Sequence, residues 1–364
     1  MAKGKFIVRN VVSEKNEKTK TGKNKKVYTY SFKYENGRNI NNKVTKAYVE
    51  SLAIPPAYKK VLIDPDPKAM YAYTGSDAKG KKQYIYSKHY NEIRGIMKFC
   101  HLIEFGQKLP AIRRKYNSYL NCANSNKIGK ERIIALILKI IDSCNFRIGN
   151  EKCRLETGSF GMTTLNKSHV KLKSNKELVI DFLGKHAQKN LCSIKDPSII
   201  LCIKQILDAV TNSNKLFSYK NGKNKINITS NDVNDFLKEF GKKITTKNFR
   251  TWAANKYLLE ELRKLPSEDK ISQRKKTVNK AIEQVAEKLH HTKAICKKEY
   301  LNPTIIELYM DKKRINYTGN KNNGLDSGEN NLMAFLTQYY NKHYCSKLKN
   351  VKTNFNNNFT RGNK

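Results

Sequence analysis

The stretch Ile133-Ile134-Ala135-Leu136-Ile137-Leu138-Lys139-Ile140-Ile141-Asp142-Ser143-Cys144-Asn145-Phe146-Arg147 decides the architecture. Apolar side chains at Ile133, Leu136, Ile137 and Ile140 recur at helical spacing, and the stripe stops just before Arg147. Toward the C-terminus helical text returns at Ile199 to Val210, from Asp232 through Phe236 and Phe240, and at Val278, Ile282, Val285 and Leu289. Ser230 or Asn231 is the expected N-cap of the second of these. Met162 to Phe182 interrupts the helices with short strands, where Leu178, Ile180 and Phe182 alternate and Gly184 supplies a turn. Beyond Tyr300, helical text at Asn302 to Lys313 and Leu332 to His343 flanks a Gly/Asn-rich loop, Asn316 to Asn331. The Asn/Lys tail from Lys347 has the composition of a disordered segment.

Toward the N-terminus the period changes from helix to strand. Tyr28, Tyr30, Phe32 and Tyr34 alternate within Val27 to Tyr34, a strand with one aromatic face, and Phe6 to Val12 is a shorter strand before it. Glu14 to Lys26 carries six lysines and reads as a loop, either a solvated hairpin tip or a phosphate-contacting flap, with charge alone favouring the tip. Ile54-Pro55-Pro56 breaks any helix, and Gly75 to Gly80 is turn text feeding a strand at Gln83 to Tyr86. At about 150 residues per domain, 364 residues suggest two. The expected class is α+β: a small β-rich domain over 1–92, and a larger, mainly α-helical domain with a short β insertion over 93–364.

Composition then narrows the partner. Lys+Arg is 72 against Asp+Glu 31, a formal charge of +41, while 38% hydrophobic content still permits a real core. Such an excess calls for a polyanion: nucleic acid first, an anionic membrane surface second. No apolar run nears the roughly 18–20 residues of a membrane span and no secretory apolar segment follows Met1, so an integral membrane or conventionally secreted protein is not expected. The eight cysteines form no C-x-x-C pair and the seven histidines complete no zinc spacing, so the expectation is reduced, intracellular and metal-free. Neither a G-x-x-x-x-G-K-[ST] loop nor a G-x-G-x-x-G unit is present, so no nucleotide cofactor is expected.

Basic residues and tyrosines suffice for chemistry on a phosphodiester. A tyrosine oxygen can displace one ester oxygen, two guanidiniums and an imidazole can hold the non-bridging oxygens, and a lysine or arginine can protonate the leaving oxygen. The sequence presents such groups in order: Cys144-Asn145-Phe146-Arg147-Ile148-Gly149-Asn150-Glu151, then Gly158-Ser159-Phe160-Gly161-Met162-Thr163-Thr164-Leu165, then Phe182-Leu183-Gly184-Lys185. Lys247-Asn248-Phe249-Arg250-Thr251-Trp252 and Leu289-His290-His291-Thr292 follow, and Cys296-Lys297-Lys298-Glu299-Tyr300 closes the series. Taken singly, each has a plainer reading: Arg147 as a helix-end charge, Lys185 as a solvated turn, His291 as structural, Tyr300 as one of 20 packing tyrosines. Their joint order reverses those readings.

This series closely resembles the type IB DNA topoisomerases, especially the compact poxvirus-like and giant-virus (mimivirus-type) branch, over roughly residues 50 to 310. Gly75 to Tyr86 is similar to the DNA-contacting strand of that family's N-terminal domain, and Ile54-Pro55-Pro56-Ala57 fits its upstream text. The resemblance implies a monomeric clamp around double-stranded DNA that relaxes supercoils without ATP, metal or other cofactor, through a 3′-phosphotyrosyl intermediate. By residue it implies Tyr300 as nucleophile, Arg147 and Arg250 as binders of the scissile phosphate, His291 as donor to a non-bridging oxygen, and Lys185 as general acid. Lys247 and Asn255 match supporting positions, and Gln83, Tyr84 and Tyr86 match residues that touch the duplex. A preference for cleaving 3′ of pyrimidine-C-C-T-T is the corresponding expectation. Cys153 departs from the tyrosine usual six residues after the first arginine, which puts one phosphate contact in doubt.

A tyrosine recombinase shares this chemistry, but it usually carries histidine where Lys247 stands and lacks the Gly75 to Tyr86 text. A non-enzymatic DNA-packaging protein would explain the charge but would not need Tyr300. The Lys, Asn, Ile and Tyr bias suits an AT-rich genome and, with the resemblance, points to a large DNA virus, with action in the virion or at a replication site in the host cell.

Overall fold

A computed structural model describes residues 5–18, 24–121, 128–209, 214–222, 224–264, 269–319 and 321–345. The chain divides into two compact units, residues 1–98 and 99–364.

The first unit is built on β1 (Ile7–Lys18), β2 (Asn24–Tyr34), α1 (Lys43–Ser51), β3 (Lys59–Ile63), β4 (Tyr71–Ser76) and β5 (Lys82–Tyr86). The strands form one sheet in the order β2-β1-β3-β4-β5, antiparallel throughout. Ile7, Val61, Ile63, Ala72 and Tyr73 supply its apolar face, and α1, N-capped by Asn42, adds Val49. Phe32 and Tyr34 of the aromatic face pack on this core. Ile54-Pro55-Pro56 is irregular, because proline has no N–H to donate to a neighbouring strand, and this opens a gap in the ladder. Arg9 fills the gap: Nη1 donates to Ile54 O (3.2 Å) and Pro55 O (3.1 Å), and Nη2 donates to Tyr58 O.

Glu14 to Lys26 is not the loop that its charge suggests. β1 continues to Lys18 and β2 begins at Asn24, in register up to the Lys18↔Asn24 pair. Cross-strand pairing of β-competent residues such as Val27 and Thr29 overrides the polar composition. Residues 19–23, the expected tip, lie outside the described residues.

α2 (Lys88–Leu120) contains the division between the units, and the texture change read near residue 92 lies close to its start. In the second unit α3 (Lys130–Cys144) is the central helix: Ile133 to Leu138, Ile140 and Ile141 are all buried, so the expected stripe is apolar on nearly every side. α4 (Glu151–Thr157) follows a loop, and β6 (Val170–Ser174), β7 (Glu177–Leu183) and β8 (Lys189–Ile194) form the β insertion, turning Leu178, Ile180 and Phe182 inward. α5 (Pro197–Ala209), a small ribbon of β9 (Ser218–Asn221) and β10 (Asn224–Asn227), and α6 (Ser230–Lys238) come next. The N-cap of α6 is Thr229, not Ser230 or Asn231, because Thr229 and Asp232 bond reciprocally in a capping box. α7 (Thr246–Lys264), α8 (Ile271–Lys288), α9 (Lys293–Glu299) and α10 (Pro303–Met310) complete the bundle, with α7 packed against α3 and α8.

The C-terminal extension belongs to the same body. α11 (Ser327–Ala334), followed by a π-helical segment Phe335–Cys345, packs on α7. Glu329 of α11, 3% exposed, accepts from Trp252 Nε1 (3.2 Å) and from Arg113 Nη1 and Nη2 (2.8 Å each). Arg113 also donates to Asp142 of α3 (2.8 Å), so one guanidinium joins α2, α3 and α11. The tail from Lys347, expected to be disordered, lies outside the described residues.

Two disulfides correct the expectation of reduced thiols: Cys100–Cys345 joins α2 to the π-helical segment, and Cys144–Cys192 joins the end of α3 to β8. Sequence spacing does not expose these pairs, whose members lie 245 and 48 residues apart. No helix among the described residues is long and apolar enough to cross a membrane.

Removing the Glu329 carboxylate leaves Arg113 half-paired and the Trp252 N–H without an acceptor. Glu329→Ala is expected to cost about 3 kcal/mol and roughly 5–10 °C in Tm by calorimetry. An unchanged Tm would show that α11 is not clamped through this carboxylate.

Candidate active site

The loop after α3 aims the first arginine. α3 ends at Asn145 in the left-handed conformation (φ 57°), and the chain then crosses the turn around Gly161. A Cβ on Gly161 would lie 2.5 Å from Gly149 Cα, and one on Gly149 would lie 2.9 Å from the Gly161 backbone, so only glycines permit the crossing. Met162 N donates to Arg147 O (2.9 Å) and Thr163 N to Ile148 O (2.7 Å). These contacts give a physical reason for the spacing of the two glycine-containing motifs.

α7 presents Lys247 and Arg250 one turn apart, which puts them on neighbouring positions of one face. α8 ends with His290 in the left-handed region (φ 54°), and His291 N closes back on Ala286 O (2.9 Å). That reversal turns Leu289 O toward Arg250 Nη2 (2.7 Å) and carries His291 between the two arginines. Arg147 Nη2 lies 2.8 Å from His291 Nδ1, and Arg250 Nη2 lies 2.5 Å from Nε2. Tyr300 follows α9, 7% exposed, with its ring 4.5 Å from that of His291 and 5.4 Å from the Arg250 guanidinium carbon. Its backbone is fixed by Asn255, which donates to Tyr300 O (3.0 Å) and accepts from Asn302 N (2.7 Å). The nucleophile candidate and one phosphate-binding candidate, Arg250, are thus fastened to the same helix.

Lys185 lies on the β7–β8 turn, exposed, with His186 and Ala187 at φ 61° and 54°. Buried Asn190 holds that turn from beneath, donating to Gln188 O (2.8 Å) and leaving no room for a side chain on Gly184. Arg147, Lys185, Lys247 and Tyr300 all line one cleft of about 520 Å³. Lys298 and Glu299 line it as well, and Glu299 pairs loosely with Lys247 (3.8 Å). Their adjacency to Tyr300 was the only sequence signal for these two.

The electrostatics around His291 favour negative charge. A neutral imidazole can accept at one nitrogen only, yet both of its nitrogens face guanidinium donors. Burial, then the charges of Arg250 and Arg147, push His291 down to about 2, so it is neutral at ordinary pH. Burial, opposed by Tyr300 and assisted by the Arg147 charge, brings Arg250 down to about 10. Arg250 is 3% exposed, and its Nε and Nη1 have no hydrogen-bond partner among the described residues. Two buried donors without an acceptor are costly until an oxygen anion fills them.

Of the remaining sequence-derived positions, Cys153 is an exposed residue of α4 near Thr157. Gln83, Tyr84 and Tyr86 lie on β5 of the first unit. Tyr84 is 49% exposed, Tyr86 stacks on Tyr71 and Tyr90, and Gln83 Nε2 donates to Asp77 (2.7 Å). Phe249 and Trp252, within the Lys247 to Trp252 motif, are buried.

Neutral burial of histidine makes stability depend on pH. His169, His290 and His291 all have lowered values, principally through burial, so the unfolded chain binds more protons below its ordinary histidine pKa of about 6.5. Stability is expected to be full above about pH 6.5 and to fall as pH drops below it. His291→Asn should flatten the slope of denaturation free energy between about pH 6.5 and 4.5; an unchanged slope would mean that His291 is protonated in the folded chain.

A family model described as the catalytic core of eukaryotic DNA topoisomerase I matches residues 87–323, and one for the N-terminal domain of bacterial DNA topoisomerase IB matches residues 29–77. The chain is similar to DNA topoisomerase 1B of Acanthamoeba polyphaga mimivirus, 30% identical over 78% of this chain and 84% of the relative. It is 25% identical to the vaccinia virus (strain Copenhagen) DNA topoisomerase 1B, over 66% of this chain and 73% of the relative. It is also 25% identical to DNA topoisomerase 1 of Schizosaccharomyces pombe, over 63% of this chain but 26% of that longer protein. With a family model spanning well over half of its length and a viral relative matched along most of both chains, this protein belongs to the type IB DNA topoisomerases.

Proposed function

We propose that this type IB topoisomerase uses Tyr300 Oη to attack a backbone phosphorus of duplex DNA. The bond to the 5′-oxygen breaks, a 3′-phosphotyrosyl link forms, Tyr300 Oη gives up its proton to solvent, and Lys185 Nζ delivers one to the departing oxygen. Arg147, Arg250 and His291 hold the non-bridging oxygens, Lys247 adds a further cation, and Asn255 positions the nucleophile's backbone. Rotation of the free 5′ end relaxes supercoils, and the reverse reaction reseals the strand. One phosphoester replaces another, so no ATP is consumed and the cationic side chains stand in for a metal.

The observation that supports this reading most directly is the buried, unpartnered edge of Arg250 beside the Tyr300 ring. All of the reacting groups come from a single chain, which favours action as a monomer. Gln83, Tyr84 and Tyr86 would contact the duplex, with a pyrimidine-C-C-T-T element as the preferred site. The viral relatives and the Lys/Asn/Ile/Tyr bias favour a large DNA virus as source, and its virion or replication site as the place of action.

Plasmid relaxation in EDTA without ATP tests the assignment. Wild type is expected to relax supercoils and Tyr300→Phe to lose relaxation while still binding DNA. Relaxation by Tyr300→Phe at the wild-type rate would remove Tyr300 from the mechanism, and strand exchange between duplexes without relaxation would make the chain a recombinase.

Lys185→Ala is expected to slow cleavage of an ordinary phosphodiester by about 10²–10⁴-fold. Replacing the 5′-oxygen by sulfur, a leaving group that needs no proton, should restore most of that loss. An equal defect on both substrates would mean that Lys185 is not the general acid.

A further inference from the structure

The β1–β2 pair reaches far beyond the sheet that anchors it. Only Ile7 and Val8 of β1 pair with β3, whereas pairing with β2 continues to Lys18↔Asn24. From Asn10 to Lys18 the ribbon therefore has two strands only, about 30 Å long at roughly 3.3 Å per residue. An isolated two-stranded ribbon of this length is marginal in water and gains little from burying a core. Asn10, Val11, Val12, Glu14, Lys15, Asn16, Glu17 and Lys18 are all exposed, with Val11 at 60% and Val12 at 64%. The N-terminal family model begins at residue 29, so β1 and the first part of β2 lie outside what it matches.

Three features of the arm fit a DNA groove. A two-stranded ribbon matches the major groove, about 12 Å wide and 8.5 Å deep. Its lysines Lys15, Lys18 and Lys26 outnumber Glu14 and Glu17, and Glu14 is already engaged by Lys26 (2.5 Å). The register shifts between Val11 and Ser13, an irregularity that re-aims neighbouring side chains and puts two exposed valines side by side, suited to thymine methyl groups. Lysines on free strand edges also discourage pairing with another chain, which disfavours a protein partner added as a further strand.

We propose that this ribbon is a second DNA-contacting element, lying in the major groove of the duplex substrate with Lys15, Lys18 and Lys26 on phosphates and Val11 and Val12 toward base edges. The inference rests on DNA as substrate but not on the assignment of Tyr300.

The test compares the full chain with a Lys15→Gln/Lys18→Gln/Lys26→Gln variant and with Val11→Ser/Val12→Ser. Equilibrium binding to a duplex is measured across a salt series, together with methylation protection of guanine N7 in the major groove. The lysine variant is expected to reduce the slope of log K against log salt by up to about 2.7, at about 0.9 per phosphate. Both variants should lose N7 protection outside the cleavage site while single-turnover cleavage at saturating enzyme stays within twofold of wild type. Unchanged slope and protection in folded variants, shown by an unaltered Tm, would overturn the proposal. So would a change confined to self-association in sedimentation. Tyr300→Phe separates the two readings, since it should abolish cleavage and leave slope and protection intact.

Discussion

Two guanidiniums on the two nitrogens of one buried imidazole form the interaction on which the catalytic unit depends. His291 avoids adding to their repulsion by staying uncharged. Such a cluster is unfavourable in isolation, so the rest of the unit must hold it together against its own electrostatics. An entering phosphate would supply the missing charge and the missing acceptors together. Because its affinity would come partly from relieving strain already present, the receptor needs little rearrangement to bind tightly.

The framework that resists this repulsion is distributed over many elements. The Gly149–Gly161 crossing fixes Arg147 from one side, and the reversal at His290 fixes His291 and the Leu289 carbonyl from another. α7 carries Arg250 and is pinned through Trp252 and Glu329 to the C-terminal helix. The Cys144–Cys192 bond ties the strand after the Lys185 turn to the end of α3, three residues before Arg147. Stability and catalytic geometry are therefore the same problem here, and substitutions far from the cleft, as at Glu329, can loosen both.

Much of this was legible in the sequence because the chemistry needs particular residue types in particular local text. The helical period before Arg147, the alternation leading to Gly184-Lys185 and the order of the motifs pointed to the architecture and to four residues that line one cleft, Arg147, Lys185, Lys247 and Tyr300. What the sequence hid has physical causes. Polar text at Glu14 to Lys26 pairs as strand because its partner strand, not its composition, decides. Thr229 caps α6 because a reciprocal Asp232 bond outweighs the nearer Ser230. The disulfides and the Arg113–Glu329 contact join residues far apart in the chain, where no local pattern exists. Glu299 and Lys298 line the cleft without any motif signal beyond their adjacency to Tyr300.

Asn255 bonds the backbone on both sides of the Tyr300–Leu301 step, from the helix that also bears Lys247 and Arg250. The backbone of Tyr300 and the Arg250 guanidinium are consequently held by one helix. In the proposed mechanism a DNA end attached to Tyr300 would be tied to that same helix, with its phosphorus held beside the Arg250 guanidinium. All rotational freedom then belongs to the other end of the broken strand. On that mechanism the duration of the nick would be a search problem for a mobile hydroxyl, with the twist of the DNA acting on the free end alone.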